Sequence, residues 1–197
     1  MNKNKTEINK QSGFNLMELL FALVVIGGMV IGIVMMYNKN QNTSNARTIA
    51  SDIQTLSSGV KSSYSADNTG FKEATGPNIS NLGLIPSTIS NKAGVMQNKY
   101  SGAVTVNPGT KCVAGDFTSC FVITEENLPA EVANKVLTQL GNEGMVAIDV
   151  NGTCVYSSGA SGASETACTE GDATPYSTSK LAGALANPSK ITVVYGQ

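Results

Sequence analysis

Residues 14–36, FNLMELLFALVVIGGMVIGIVMM, are a run of 23 positions in which only Asn15 and Glu18 are strongly polar. As a helix rising 1.5 Å per residue, the run spans roughly 35 Å, long enough to cross a bilayer. A secretory signal would carry a shorter apolar core followed by a small-x-small cleavage site. The stretch GIVMMYNKNQN offers none, so this helix is expected to remain as an anchor. Lys3, Lys5 and Lys10 precede the run, against Lys39 and Arg47 after it. That bias leaves the N-terminus cytoplasmic and places the rest of the chain outside.

Glu18 is the anomaly in this segment. A carboxylate in the middle of a membrane helix costs about 2.5–3.5 kcal/mol and less near an end, so it marks either interface depth or a pairing function. Gly13 stands immediately before the run, and Glu18 is the fifth residue counted from Phe14. Gly, then Phe, then Glu at the fifth place, leading straight into a transmembrane run, resembles the type IV prepilin family. The resemblance implies that residues 1–13 are a leader peptide. A dedicated aspartic prepilin peptidase would cut between Gly13 and Phe14 on the cytoplasmic side, and Phe14 would be N-methylated. Cutting there creates an α-amino group, ordinarily with a pKa of about 8, near the Glu18 carboxylate, and methylation keeps its charge. A carboxylate in hydrocarbon needs such a partner. The amine of the same chain and that of a neighbouring subunit are both available, and the resemblance implies the neighbour's, making Glu18–Phe14 an assembly salt bridge.

The periodic pattern continues past Met36 without a breaker. Ala46, Ile49, Ile53, Leu56, Val60 and Tyr64 recur at spacings of three and four, so one helix is expected over 14–64, apolar all round over 14–36 and amphipathic over 37–64. SADNTG at 65–70 supplies turn residues to end it. Gly27, Gly28 and Gly32 weaken the helix locally. Gly28 and Gly32 form a small-xxx-small pair that admits another helix at close range, or are ordinary membrane-helix composition.

The remaining residues, 65–197, read as a globular α+β domain. Short β-branched runs at 101–106, 120–124, 145–150, 153–157 and 190–195 predict strands, the third and fourth joined by a hairpin turn at Asn151-Gly152. NLPAEVANKVLTQLG predicts a short helix with Asn127 as its N-cap and Gly141 as its stop. The stretch 158–190 has no strong periodicity and is expected at the surface. The sum is an antiparallel sheet packed on the long helix, which is the type IV pilin fold.

All four cysteines, Cys112, Cys120, Cys154 and Cys168, lie in the C-terminal half of the chain, in a part expected outside the cell, where disulfides persist. Two disulfides allow three connectivities, of which the sequence-adjacent pairs Cys112–Cys120 and Cys154–Cys168 are expected. A four-cysteine zinc site competes, but the gaps lack the tight Cys-x-x-Cys pairs that structural zinc takes.

Other chemistries find little support. The chain has no His, which removes imidazole triads and His-ligated metals. Ser-x-x-Lys occurs at Ser58–Lys61 and Ser177–Lys180 without companion motifs. Glu165, Glu170 and Asp172 form either a solvated acidic loop or a Ca2+ site like those of related pseudopilins. Sequons begin at Asn42, Asn78 and Asn151 but carry no presumption of glycosylation in the bacterial setting the leader implies. With 13 basic residues spread thinly and a net charge of -1, no basic stripe for nucleic acid stands out. No cofactor and no metal are expected.

The resemblance therefore implies a structural subunit that polymerises with itself. Its partners would be prepilin peptidase and the inner-membrane pilus assembly platform. It would reside first in the bacterial inner membrane and then in an extracellular pilus serving adherence, aggregation or conjugative mating. The leader length, the domain size and the cysteine pairs look closest to type IVb pilins, including the thin-pilus pilins of conjugative plasmids and enteric pathogens. Phe14 looks type IVa instead, and Asn15 and Met17 replace the commoner Thr and Ile. A minor pilin or a type II secretion pseudopilin shares the leader. From a different class, a single-pass anchored binding protein or enzyme would keep its N-terminus uncut.

Overall fold

The computed structural model describes residues 16–64, 70–92, 95–109, 120–141, 144–158, 168 and 173–196. The chain divides into two compact units with the boundary between Gln41 and Asn42. Helix α1 (Leu16–Tyr64) contributes to both. The expected leader and Phe14 lie outside the described residues.

In the first unit α1 is apolar all round, and no side chain from Leu16 to Asn40 is buried. In the second unit the same helix becomes amphipathic. Ala46, Ile49, Ile53, Leu56, Val60 and Tyr64, the stripe expected from spacing, are all buried, joined by Ala50. Each fully buried Leu, Ile or Val contributes about 1.5–3 kcal/mol, so this stripe dominates the docking of the helix. Ser51, Gln54, Thr55, Ser58 and Ser62 lie exposed on the opposite side. Thr55 donates its hydroxyl to the Ser51 carbonyl one turn back, at 2.8 Å, which satisfies it locally. Of the turn expected over 65–70, Gly70 is described; it takes a φ of +56° and opens a 3-10 turn, Gly70–Glu73. Phe71 of that turn is buried with its ring centroid 4.9 Å from that of Phe121.

After a short helix α2 (Gly76–Asn81) come β1 (Ser90–Lys92), β2 (Val95–Gln97), β3 (Ala103–Pro108) and β4 (Cys120–Leu128). Helix α3 (Ala130–Leu140), β5 (Met145–Val150), β6 (Thr153–Ser158), β7 (Ala173–Thr174), α4 (Thr178–Ala184) and β8 (Ser189–Gly196) follow. The eight strands form one sheet in the order β1-β2-β3-β4-β8-β5-β6-β7. Every neighbouring pair is antiparallel. The last strand in sequence is thus inserted between β4 and β5.

One face of the sheet joins the α1 stripe through Phe121, Ile123, Ile148, Ile191, Val193 and Tyr195, with Val132, Val136 and Leu137 of α3 in the same core. The other face carries a smaller cluster of Cys120, Val122, Ala147, Cys168 and Val194. Covering on both faces explains why β4 from Cys120 to Glu125 and β8 from Ile191 to Gly196 are buried at every position rather than at alternate ones. The expected hairpin closes on Asn151 (φ +52°) and Gly152 (φ +79°), as a two-residue turn matched to strand twist requires.

Three local expectations are corrected. Asn127 does not cap α3; the helix starts after Pro129. Asn127 and Leu128 instead belong to β4, which runs beyond the expected 120–124 and shifts register between Glu125 and Leu128. Asn127 sits at φ +59° and donates its amide to the Tyr100 carbonyl at 2.7 Å, so its side chain serves a neighbouring turn. Within 158–190, α4 buries Leu181 and Ala184, so this stretch also supplies core. β1, β2 and β7, of two or three residues each, are too short to leave an alternation.

Candidate functional site

Glu18 lies in the first turn of α1 and is exposed, surrounded along the helix by Leu16, Met17, Leu19, Leu20 and Phe21. From Leu16 to Tyr37 the large apolar side chains are likewise open, Phe21 at 72% and Met36 at 67%. A contiguous apolar surface of this extent has to be covered by lipid or by other protein. Gly27, Gly28 and Gly32 have no heavy atom within 4 Å of where a Cβ would sit, so no contact inside the chain demands glycine there. Gly13 and Phe14, the expected cleavage and methylation positions, lie outside the described residues.

Cys154 of β6 is bonded to Cys168, with their Cα atoms 4.9 Å apart. Cys168 is buried in the small cluster on the sheet face remote from α1, so the bridge ties Cys168 to β6 on that face. Cys120 is also disulfide-bonded. Cys112, the partner expected for it, lies outside the described residues.

A family model described as PilS N terminal matches residues 37–180. The chain belongs to the PilS family of type IVb pilins. Two solved structures share its fold. A type IVb pilin from Salmonella typhi superposes with a TM-score of 0.52 at 18% identity, covering 76% of this chain and 97% of that one. TcpA, a type IV pilin from the Vibrio cholerae El Tor biotype, gives a TM-score of 0.50 at 12% identity, over 79% of this chain and 99% of that one. No curated protein matches in sequence. The family match starts at Tyr37, whereas the prepilin resemblance rests on Gly13, Phe14 and Glu18. Two non-overlapping parts of the pilin therefore point to one family.

Several motifs of the pilin find structural employment. Ser177 accepts a hydrogen bond from the Lys180 backbone N–H at 3.3 Å, so that Ser-x-x-Lys match is the N-cap of α4. Ser58 and Lys61 line a cavity of about 370 Å³ with Gln54, Ser57, Leu140, Met145 and Tyr195. Lys61 Nζ donates to the Gly144 carbonyl at 3.4 Å and stands 5.6 Å from the Tyr195 ring centroid. The three sequon amides are all engaged: Asn42 with Glu131 at 3.1 Å, Asn78 with the Glu73 carbonyl at 2.8 Å, and Asn151 with the Ala184 carbonyl at 2.8 Å. Glu165, Glu170 and Asp172 lie outside the described residues. Among the described residues no group of three or more His, Cys, Asp or Glu could hold a metal ion.

One cluster escaped sequence reasoning. Asp52 is buried on the core side of α1, and Glu125 of β4 is only 1% exposed. Thr88 donates its hydroxyl to Asp52 Oδ1. Asn98 Nδ2 donates to Glu125 Oε2 at 2.8 Å and to the Glu126 carbonyl at 2.9 Å. Asn98 Oδ1 in turn accepts the N–H groups of Tyr100 and Gly102, both at 2.9 Å. Burial pushes the Glu125 carboxyl up to about 8; the Asn98 hydrogen bond works against this and the charge of Asp52 adds to it. Burial raises Asp52 as well, opposed by Thr88 and by Lys99. A carboxylate on the inward stripe, at position 52 between Ile49 and Leu56, was the signal available in the sequence.

Proposed function

We propose that the pilin is the repeating subunit of a type IVb pilus, made as an inner-membrane prepilin and polymerised through its N-terminal helix into an extracellular filament. The observation that carries this reading is α1 before Tyr37: an exposed helix, apolar on every side, with Glu18 as its sole charge. Lipid covers that surface before assembly, and the helices of neighbouring copies cover it afterwards. Moving an apolar helix from lipid into a bundle gains no hydrophobic free energy, so close packing and charge pairing must supply the specificity. Glu18 fills the second role by meeting the α-amino group that cleavage after Gly13 frees on Phe14 of a neighbouring copy. The carboxylate is then paired only when two subunits are in register. Gly28 and Gly32 allow the close approach the bundle needs.

The globular unit covers the filament core and forms its outer surface, where adherence, aggregation or mating contacts are made. Prepilin peptidase and an inner-membrane assembly platform are the partners this route requires. Mass analysis of the N-terminus of sheared surface protein is the direct test. A chain beginning at methylated Phe14 is expected, and one beginning at Met1 would return the protein to the class of anchored binding proteins. Electron microscopy with antibody labelling separates a repeating subunit from a minor pilin or pseudopilin, because only the former labels filaments along their whole length.

A further inference from the structure

Asp52 and Glu125 are carboxyl groups contributed by different elements, α1 and β4, and both are buried in the interior of the second unit. Their hydrogen-bonding partners are neutral: Thr88 for Asp52 and Asn98 for Glu125. We propose that one proton held in this cluster locks the second half of α1 onto the sheet, and that alkaline conditions open the lock by leaving two carboxylates to repel each other across the helix–sheet junction.

The surroundings of Glu125 favour retention of the proton. At the register positions on either side stand Val104 of β3 and Ile191 of β8, both apolar. From α1 the facing titratable group is Asp52, and the cation near the cluster is Lys99 in the turn after β2, which acts on Asp52. Lys99 also reaches the Thr48 hydroxyl at 3.4 Å, so it is held at the rim. The adjacent Glu126 is half-buried and paired with Lys190 at 3.3 Å, and so offers the buried carboxyl no compensation. Among the described residues a second negative charge brought into this cluster has no cation of its own, and the least costly response is separation of helix and sheet. Asp52 lies well beyond the apolar segment that ends at Met36, so the lock acts in the globular unit whether or not the chain is assembled.

The direction of the pH effect follows from the raised pKa. The folded state binds the Glu125 proton more tightly than the unfolded state, where the ordinary value is 4.5. The stabilisation is complete below pH 4.5 and is lost progressively as pH rises to about 8. Over that window the folding equilibrium constant falls by on the order of 1,000-fold from this cluster. The two carboxyls titrate as a pair, so the midpoint belongs to the cluster.

The test uses the full chain in detergent micelles, with glutamate labelled at the side-chain carboxyl carbon and followed by NMR. One resonance is expected to titrate with a midpoint near 8 and to be absent from Glu125→Gln. If every glutamate titrates between about pH 3 and 6, as unperturbed carboxyls do, there is no held proton and the proposal fails. Urea denaturation reports the lock itself. The midpoint for the wild-type chain should fall from pH 5 to pH 8.5; Glu125→Gln should remove most of that fall and Asp52→Asn a smaller part, because burial contributes more than Asp52 to holding the Glu125 proton. An equal fall in both variants would place the pH dependence elsewhere. If Glu125→Gln does not fold, the wild-type titration and Asp52→Asn still decide.

Discussion

Gly102 illustrates how one position can be fixed by its neighbours. A Cβ built there would stand 1.8 Å from the Glu126 carbonyl oxygen, which belongs to the backbone of β4 and cannot swing away. The approach is that close because Asn98 gathers the N–H of Gly102, the Glu126 carbonyl and the Glu125 carboxyl around one amide. Gly102→Ala is expected to cost about 3 kcal/mol or more, read as a lowered thermal midpoint, and to disturb the buried carboxyl as well. Asn151 works in a similar way at the opposite hairpin. Its amide donates to the Ala184 carbonyl and its oxygen accepts the Lys190 N–H, each at 2.8 Å, tying the β5–β6 turn to the entry of β8. Asn151→Ala should lose about 1–3 kcal/mol by leaving those backbone groups unpaired. Glu18 differs in kind, because its side chain is exposed in the single chain. Glu18→Ala is accordingly expected to leave the thermal midpoint and leader cleavage nearly unchanged while filaments disappear from electron micrographs; normal piliation would remove the charge pair from the mechanism.

At the scale of elements, the stripe on α1 and the bridge on β6 carry the measurable energies. Leu56→Ala removes a fully buried side chain at the helix–sheet contact and should cost about 2–5 kcal/mol, seen as a lower urea midpoint. Cys154→Ser opens the Cys154–Cys168 loop and should cost about 2–4 kcal/mol, with a larger loss produced in the native chain by a thiol reductant, which also opens the Cys120 disulfide. The elements legible in the sequence are those whose pattern is long relative to its period. The α1 stripe repeats over five turns, α3 is bounded by Gly141, and the β5–β6 hairpin is announced by Asn-Gly. β4 is read too short because Glu125 and Glu126 interrupt an apolar run, and local pattern does not reveal that Asn98 receives one carboxyl while the other turns to solvent. α4 was missed because its seven residues bury only Leu181 and Ala184, too few contacts for a period. The Cys154–Cys168 pairing was legible from adjacency, and the Asp52–Glu125 cluster was not, since 73 positions separate its members in sequence.

For the molecule as a whole, the prepilin signature and the family match describe different ends of one design: an apolar helix with no side chain buried from Leu16 to Asn40, and a globular unit with its own core. The placement of β8 governs how that unit comes into being. Its two flanking strands, β4 and β5, are separated from it by some sixty and forty residues of chain, and neither pairs with the other. A chain cut after Pro188 would leave two long, apolar sheet edges unpaired, and is expected to be degraded or to aggregate rather than to reach the surface, as immunoblots of shed and cell-bound fractions would report. Folding therefore waits on delivery. Until residues 189–196 are in place no partial chain can close the sheet, so their arrival acts as a receipt that every other strand of it has been made. A globular unit with a closed sheet is then by construction one that has kept its last strand, so the topology of a single strand does the work of an inspector.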